Sequence, residues 1–225
     1  MAVFGLQVAT TGVNEKRLQA QGRRYRAVHT HPMSHAGYYP GAQPMALKLL
    51  VDPDSDAILG AQAVGGEGVD KRIDVLATAI TAGIPASDLA ELELAYAPQF
   101  GSAKDPINML GHVAENLASP VSSSVQWHEL EVAVAAGATV LDIRTSSEHA
   151  AGAIPASIHI PVDELRDRHA DIPAGPVVVY CAVGVRGHTA ARILVQVGRD
   201  ARNLDGGYTT WKAGREAMTP VQGPS

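Results

Sequence analysis

Apolar residues alternate with small or polar ones from Met45 to Val51, break at Asp52-Pro53-Asp54-Ser55-Asp56, and resume from Ala57 to Val64. Period-two alternation on both sides of a turn-forming acidic stretch predicts a β-hairpin. From Glu67 to Gly83 the period lengthens: Val69, Ile73, Leu76 and Ile80 fall on one helical face, and Gly83 supplies the stop. Further on, Pro176 to Tyr180 is an unbroken run around Val177, Val178 and Val179, the pattern of a strand buried on both faces. A glycine-punctuated turn and a series of helix formers follow, so this segment reads as a strand, a short loop ending at Arg186, and a helix. Between these regions, Ala118-Ser119-Pro120-Val121-Ser122-Ser123-Ser124 reads as a linker. It divides the chain into domains at 1–118 and 125–218, with 119–124 joining them.

Cys181 is the only cysteine in the 225 residues, and it stands where the buried strand runs into the loop. Backbone N–H groups of a strand-to-helix turn, the positive end of the helix dipole and the guanidinium of Arg186 all favour an anion there. Each of them favours thiolate, the reactive form of cysteine, and should lower the thiol below its ordinary ~8.5. Ala182, Val183, Gly184, Val185 and Gly187 complete the expected loop, and His188 follows it on the helix.

The charge balance narrows the field of partners. Residues 1–118 carry 9 basic and 12 acidic side chains and residues 119–225 carry 9 and 11, so neither half has the basic excess that nucleic acid demands. No apolar run has membrane length, and one cysteine permits no internal disulfide. A working thiolate then suits a reducing cytoplasm. His29, His31 and His35 are spaced like metal ligands but sit beside proline in loop and strand, and no metal site is expected of them.

Cys181-x4-Arg186 at a strand end resembles the active-site loop of rhodaneses, the sulfurtransferases, and three further segments agree with it. Val140-Leu141-Asp142-Ile143-Arg144 with Glu148 is similar to that family's Asp-x-Arg signature. Gly152-Ala153-Ile154-Pro155-Ala156 to Pro161 is similar to a second, with Ala153 where histidine is usual and Ala156 in place of a glycine. Leu204-Asp205-Gly206-Gly207 to Trp211 resembles the closing motif. The four-residue spacing favours sulfur transfer over the longer Cys-x5-Arg loops of phosphatases, which are sized for a tetrahedral oxyanion. The resemblance implies an α/β domain with a mostly parallel central sheet. It also implies that Cys181 takes sulfane sulfur from a small donor, thiosulfate or a persulfide, and passes it to a thiol acceptor, with Arg186 orienting an anionic donor. Arg144 either helps there or forms a structural salt bridge to Glu148. Asp142 is read as orienting the loops rather than as a base.

Ser34-His35-Ala36-Gly37-Tyr38-Tyr39-Pro40, Gly65-Gly66-Glu67-Gly68-Val69-Asp70-Lys71-Arg72 and Tyr96-Ala97-Pro98 to Met109 resemble another family. It is the dimerisation domain of flavin-dependent pyridine nucleotide-disulfide oxidoreductases, with wording nearest to coenzyme A-disulfide reductases. That resemblance implies an α+β domain of antiparallel sheet and helices that forms homodimers or docks on a flavoprotein. It implies FAD, NAD(P)H and coenzyme A for the whole family, but residues 1–118 hold no Gly-x-Gly-x-x-Gly, so no cofactor is expected to bind this chain alone. Tyr38 and Tyr96, with Tyr39 as the adjacent alternative, would approach the coenzyme A thiol across the dimer. Lys71 and Arg72 either meet coenzyme A phosphates or form a solvated helix face. Two readings of function follow: a sulfurtransferase working through a Cys181 persulfide, or a non-catalytic dimerisation and docking module. Redox catalysis by this stretch of sequence is not expected.

Overall fold

The computed structural model describes residues 1–120 and 122–219, and Val121 of the expected linker lies outside the described residues. Two compact units result, Met1–Ser119 and Pro120–Ser225.

The first unit is built on a five-stranded antiparallel sheet. Its strands are β1 (Ala2–Val3), β2 (Leu6–Gly12), β3 (Arg26–Thr30), β4 (Met45–Val51) and β5 (Ile58–Gly65), in the order β1-β2-β5-β4-β3. The expected hairpin is β4 and β5, paired from Met45–Gly65 to Val51–Ile58. Alternation sorts its side chains: Met45, Leu47, Leu49 and Val51 enter the main core, while Leu50 joins Leu18, Ala27 and Leu59 on the opposite face. Leu18 belongs to α1 (Glu15–Ala20), capped by the Asn14 side chain.

Two helices, α2 (Val69–Ala82) and α3 (Pro106–Ala118), cover the main core with Val69, Ile73, Leu76, Ile107 and Leu110. The expected start of α2 at Glu67 is corrected to Val69, because Gly68 takes φ +81° and Gly83 closes the helix at +69°. Both are left-handed conformations that glycine adopts without steric cost. Arg72 is 2% exposed and bridges Asp105 at 2.8 Å, while its Nη2 also donates to the Ser34 carbonyl at 2.9 Å. It is therefore neither a phosphate ligand nor part of a solvated face, as the sequence had suggested; it is an internal clamp. Asp105 caps α3 through the Ile107 N–H, so one buried ion pair joins α2, the head of α3 and the loop before Tyr38.

The second unit carries a five-stranded sheet in which every strand pair is parallel. Its strands are β6 (Ser124–Val125), β7 (Thr139–Asp142), β8 (Ile158–His159), β9 (Val177–Tyr180) and β10 (Ala201–Leu204), ordered β6-β10-β9-β7-β8. Ser124 was expected in the linker, yet it opens β6 opposite Asn203. Five helices alternate with the strands: α4 (Leu130–Ala135), α5 (Ser146–Ala150), α6 (Leu165–Arg168), α7 (Val185–Gln196) and α8 (Gly207–Met218). On β9, Val177 and Val179 point into one core, and Val178 and Tyr180 into the other. Burial on both faces explains the unbroken β-branched run.

Candidate active site

Cys181 leaves the C-terminal end of β9, where open parallel sheets place their functional loops, and is 1% exposed. The chain turns back through Gly184 at φ +97°, which is also the N-cap of α7, and the Gly184 N–H donates to Cys181 Sγ at 3.2 Å. Gly184 supplies the backbone donor that meets the sulfur, where a cradle of several had been expected. The helix begins at Val185, not beyond Arg186, so Arg186 stands in the first turn of α7 and Val185 and Gly187 are helical rather than loop residues.

Other segments hold this turn from below. The N–H groups of Tyr208 and Thr209 donate to the carbonyls of Cys181 and Ala182 at 2.8 and 3.0 Å. The approach requires Gly207: a Cβ there would lie 2.5 Å from the Cys181 carbonyl oxygen. Asn203 on β10 donates its side-chain amide to the Gly184 carbonyl at 3.1 Å.

Arg186 does not stand free at the mouth. Its two terminal nitrogens donate to the Glu148 carboxylate at 2.6 and 2.9 Å. Glu148 also accepts from Thr145 in the capping box of α5, and Arg186 foremost holds its carboxyl at about 2, well below the usual range. Arg144 was expected either at the donor or on Glu148; it is 3% exposed and bound to Asp142 at 2.7 Å instead. It also donates to the Gly152 carbonyl and stacks over Tyr208 with 4.3 Å to the ring centre. Burial works to raise the Asp142 carboxyl, but bonds from Arg144, His149 and Tyr180 outweigh it and bring the group to about 2. The Tyr180 hydroxyl donates to Asp142 at 2.8 Å, and burial pushes it up to about 12. Asp142 is thus the hub of a buried network at the ends of β7 and β9. His188 is half-buried, and burial, with Arg192 adding, lowers its imidazole below the ordinary value.

The sequence reading missed His149, which bonds Asp142 at 2.9 Å and stacks on His159, along with the parts of Tyr180, Asn203 and Tyr208. Only Glu148 had a sequence signal, and it was assigned to the wrong arginine.

The first unit brings Tyr38 and Tyr96 together, with hydroxyl oxygens 3.3 Å apart and both rings exposed. The Ala36 N–H bonds the Gly101 carbonyl, joining the two loops, and the Asn108 amide holds the carbonyls of Leu89, Ala90 and Leu92 ahead of Tyr96. Sharing a proton with Tyr38 raises the Tyr96 phenol above its usual value. Tyr39 meets the His35 ring edge-on instead. Tyr96, His35, Lys71 and Phe100 line a cavity of about 430 Å³. His29 lies on β3 opposite Lys48, and among the described residues no three His, Cys, Asp or Glu side chains gather as metal ligands.

Residues 1–105 match the family model of the pyridine nucleotide-disulphide oxidoreductase dimerisation domain, and residues 126–214 match that of the rhodanese-like domain. The chain thus matches both domain models, in this order. Its relatives are more particular. The coenzyme A disulfide reductases of Staphylococcus aureus (strain bovine RF122 / ET3-1) and Staphylococcus epidermidis are 42% and 39% identical over 112 residues, 50% of this chain and 25% of theirs. The crystal structure of reduced CoADR-RHD from Bacillus anthracis is similar over 96% of this chain and 39% of its own, with 46% identity and a TM-score of 0.93. An NAD-dependent persulfide reductase from A. fulgidus matches 93% of this chain and 38% of its own, with 39% identity and a TM-score of 0.83. The chain thus spans about a quarter of the length of these curated relatives.

FAD and NAD(P)H, implied by the resemblance, require a parallel βαβ unit whose first turn cradles a pyrophosphate. Here β5 does enter α2 through Gly65-Gly66-Glu67-Gly68, but β5 is antiparallel to both neighbours, and Lys71 stands where the last glycine of such a turn would. These residues do not fit either dinucleotide. Among the described residues no helix is long and apolar enough to cross a membrane.

Proposed function

We propose that the second unit is a sulfurtransferase that carries sulfane sulfur as a persulfide on Cys181. The observation that carries this reading is the Gly184 N–H aimed at Cys181 Sγ at 3.2 Å, at the head of a helix with Arg186 in its first turn. That N–H and the helix dipole stabilise negative charge on the attacking sulfur and then on the terminal sulfur of the persulfide. The thiolate attacks the outer sulfur of the donor, the donor's S–S bond breaks, and its electron pair leaves with the inner group. A thiol acceptor removes the sulfur in the second half-reaction. Asp142 and Arg144 fix the strand ends and touch no reacting atom. A cytoplasmic setting would keep Cys181 reduced between turnovers.

The test is mass spectrometry of the full chain after incubation with a sulfane donor. An adduct of about +32 Da on Cys181 is expected in the wild type and absent from Cys181→Ser, whose hydroxyl forms no persulfide. Equal labelling of both proteins would end the proposal.

For the first unit the proposal is subunit pairing or docking on a flavoprotein, with the Tyr38–Tyr96 pair presented to the partner's thiol chemistry. A phenol that shares its proton with a second phenol can hydrogen-bond a developing coenzyme A thiolate. Light scattering of the full chain should give the mass of a dimer; a monomer at micromolar concentration would leave only the docking role.

A further inference from the structure

Two glycines of the Cys181 turn and the helix behind it face one side chain. A Cβ added at Gly187 would lie 2.2 Å from Asn203 Oδ1, and one at Gly184 would lie 3.7 Å from Asn203 Nδ2, so the amide lies under the first turn of α7. Asn203 belongs to β10, where it pairs with Val179 of β9 on one side and Ser124 of β6 on the other. It therefore stands inside the sheet, anchored by ladder bonds on both flanks. Its Nδ2 donates to the Gly184 carbonyl at 3.1 Å, and that carbonyl already accepts the His188 N–H at 2.9 Å. Reversing the amide would set oxygen against oxygen, so Gly184 decides which way it points. Oδ1 is left buried with no hydrogen-bond partner. An apolar side chain of the same shape would avoid that cost, and the Gly184 carbonyl would remain satisfied by His188. The amide is thus surplus to what folding requires at this position.

We propose that Asn203 is a positioning residue for the Cys181 thiolate: it holds Gly184 so that the Gly184 N–H stays aimed at Sγ. Gly184 needs holding, because at φ +97° it has the freest backbone of the turn and carries the N–H that meets the sulfur at 3.2 Å. A hydrogen bond to the charged form of a thiol favours ionisation, and one that wanders favours it less. Asn203 acts through Gly184 and not on the sulfur itself. The inference rests on the sulfurtransferase reading for its purpose, although the ionisation it concerns is measurable without any sulfur transfer. Arg186, paired with Glu148 of α5, is the charged side chain that faces the sulfur, while His188 lies on α7 and Asp205 follows β10. Removing the Asn203 amide changes none of these charges.

The experiment follows the ultraviolet absorbance of the thiolate against pH in the full chain, for wild type, Asn203→Leu and Asn203→Ala, with thermal unfolding of each. Cys181 is the only cysteine, so the difference from Cys181→Ser reports on one group. Asn203→Leu keeps the volume and removes the donor. It should raise the ionisation midpoint by about one pH unit, a tenfold fall in the ionisation constant, and melt no lower than wild type. Asn203→Ala should show the same raised midpoint yet melt lower, because it also opens a cavity. The shift then follows the donor and not the packing. A wild-type midpoint in Asn203→Leu, midpoints that track the melting temperatures, or an Asn203→Leu that does not fold would each overturn the proposal. A chain whose Cys181 carries no sulfane adduct would remove the sulfurtransferase reading, while a midpoint displaced in both variants would still uphold the role of Asn203.

Discussion

Gly207→Ala tests how the Cys181 turn is held. Gly207 sits at φ +61°, and an added Cβ would lie 2.5 Å from the Cys181 carbonyl oxygen and 2.8 Å from the Gly184 nitrogen. Both neighbours are backbone, so relief requires the turn itself to move. Left-handed backbone for alanine costs about 1–2 kcal/mol, and forcing a methyl into a packed contact costs about 1–3 kcal/mol more. The control is Gly198→Ala, since Gly198 has φ +82° with nothing within 4 Å of the added Cβ. It isolates the conformational cost from the contact. Thermal unfolding of the second unit should therefore fall further for Gly207→Ala, by roughly 4–8 °C for each extra kcal/mol in a unit of this size. Persulfide formation separates the two variants again. Displacing the turn withdraws the Gly184 N–H from Cys181 Sγ and slows Gly207→Ala, whereas Gly198→Ala keeps the wild-type rate. Equal losses of stability and rate in both variants would refute the reasoning that α8 supports the nucleophile turn by close backbone contact.

In the first unit, Arg72→Met leaves Asp105 buried without its cation and should cost about 3–5 kcal/mol in denaturant unfolding, with part of the loss recovered by adding Asp105→Asn. If Arg72→Met unfolds like wild type, the clamp is not structural. The pH dependence of the second unit follows from Asp142, whose carboxyl is brought from 3.8 to about 2 in the folded state. A depressed folded value means that the unfolded chain binds the proton first, so this stability is full above about pH 4 and is lost as pH falls toward 2. Urea unfolding across that window should show a slope that Asp142→Asn reduces; Glu148, brought from 4.5 to about 2, contributes in the same direction, so removing either carboxylate alone should leave part of the slope.

What could be read from the sequence was what the local pattern determines. The β4–β5 hairpin, the apolar face of α2 and the buried run of β9 all leave a period in the chain, and the structure keeps each of them. β2 leaves none, because Leu6–Gly12 lies half-exposed beside β5 and its register depends on contacts such as Gly60 against the Val13 backbone. The start of α2 was missed because Gly68 was taken as an ordinary helical position and not as a left-handed cap.

At the candidate site the nucleophile was legible and its electrostatics were not. Glu148 lies four residues after Arg144, a spacing that suits an ion pair on one helix, yet Arg144 precedes α5 and its side chain turns inward to Asp142. That leaves Glu148 for Arg186, a residue 38 positions away in the chain. Such an exchange of partners has no sequence period, because it is set by the adjacency of β7 and β9, which places Asp142 beside Tyr180 and the two loop ends side by side. The consequence is chemical. Read from the sequence, Arg186 was a cation at the loop mouth orienting an anionic donor; in the fold it is half of an ion pair with Glu148, and the charge at the mouth is set by the two side chains together.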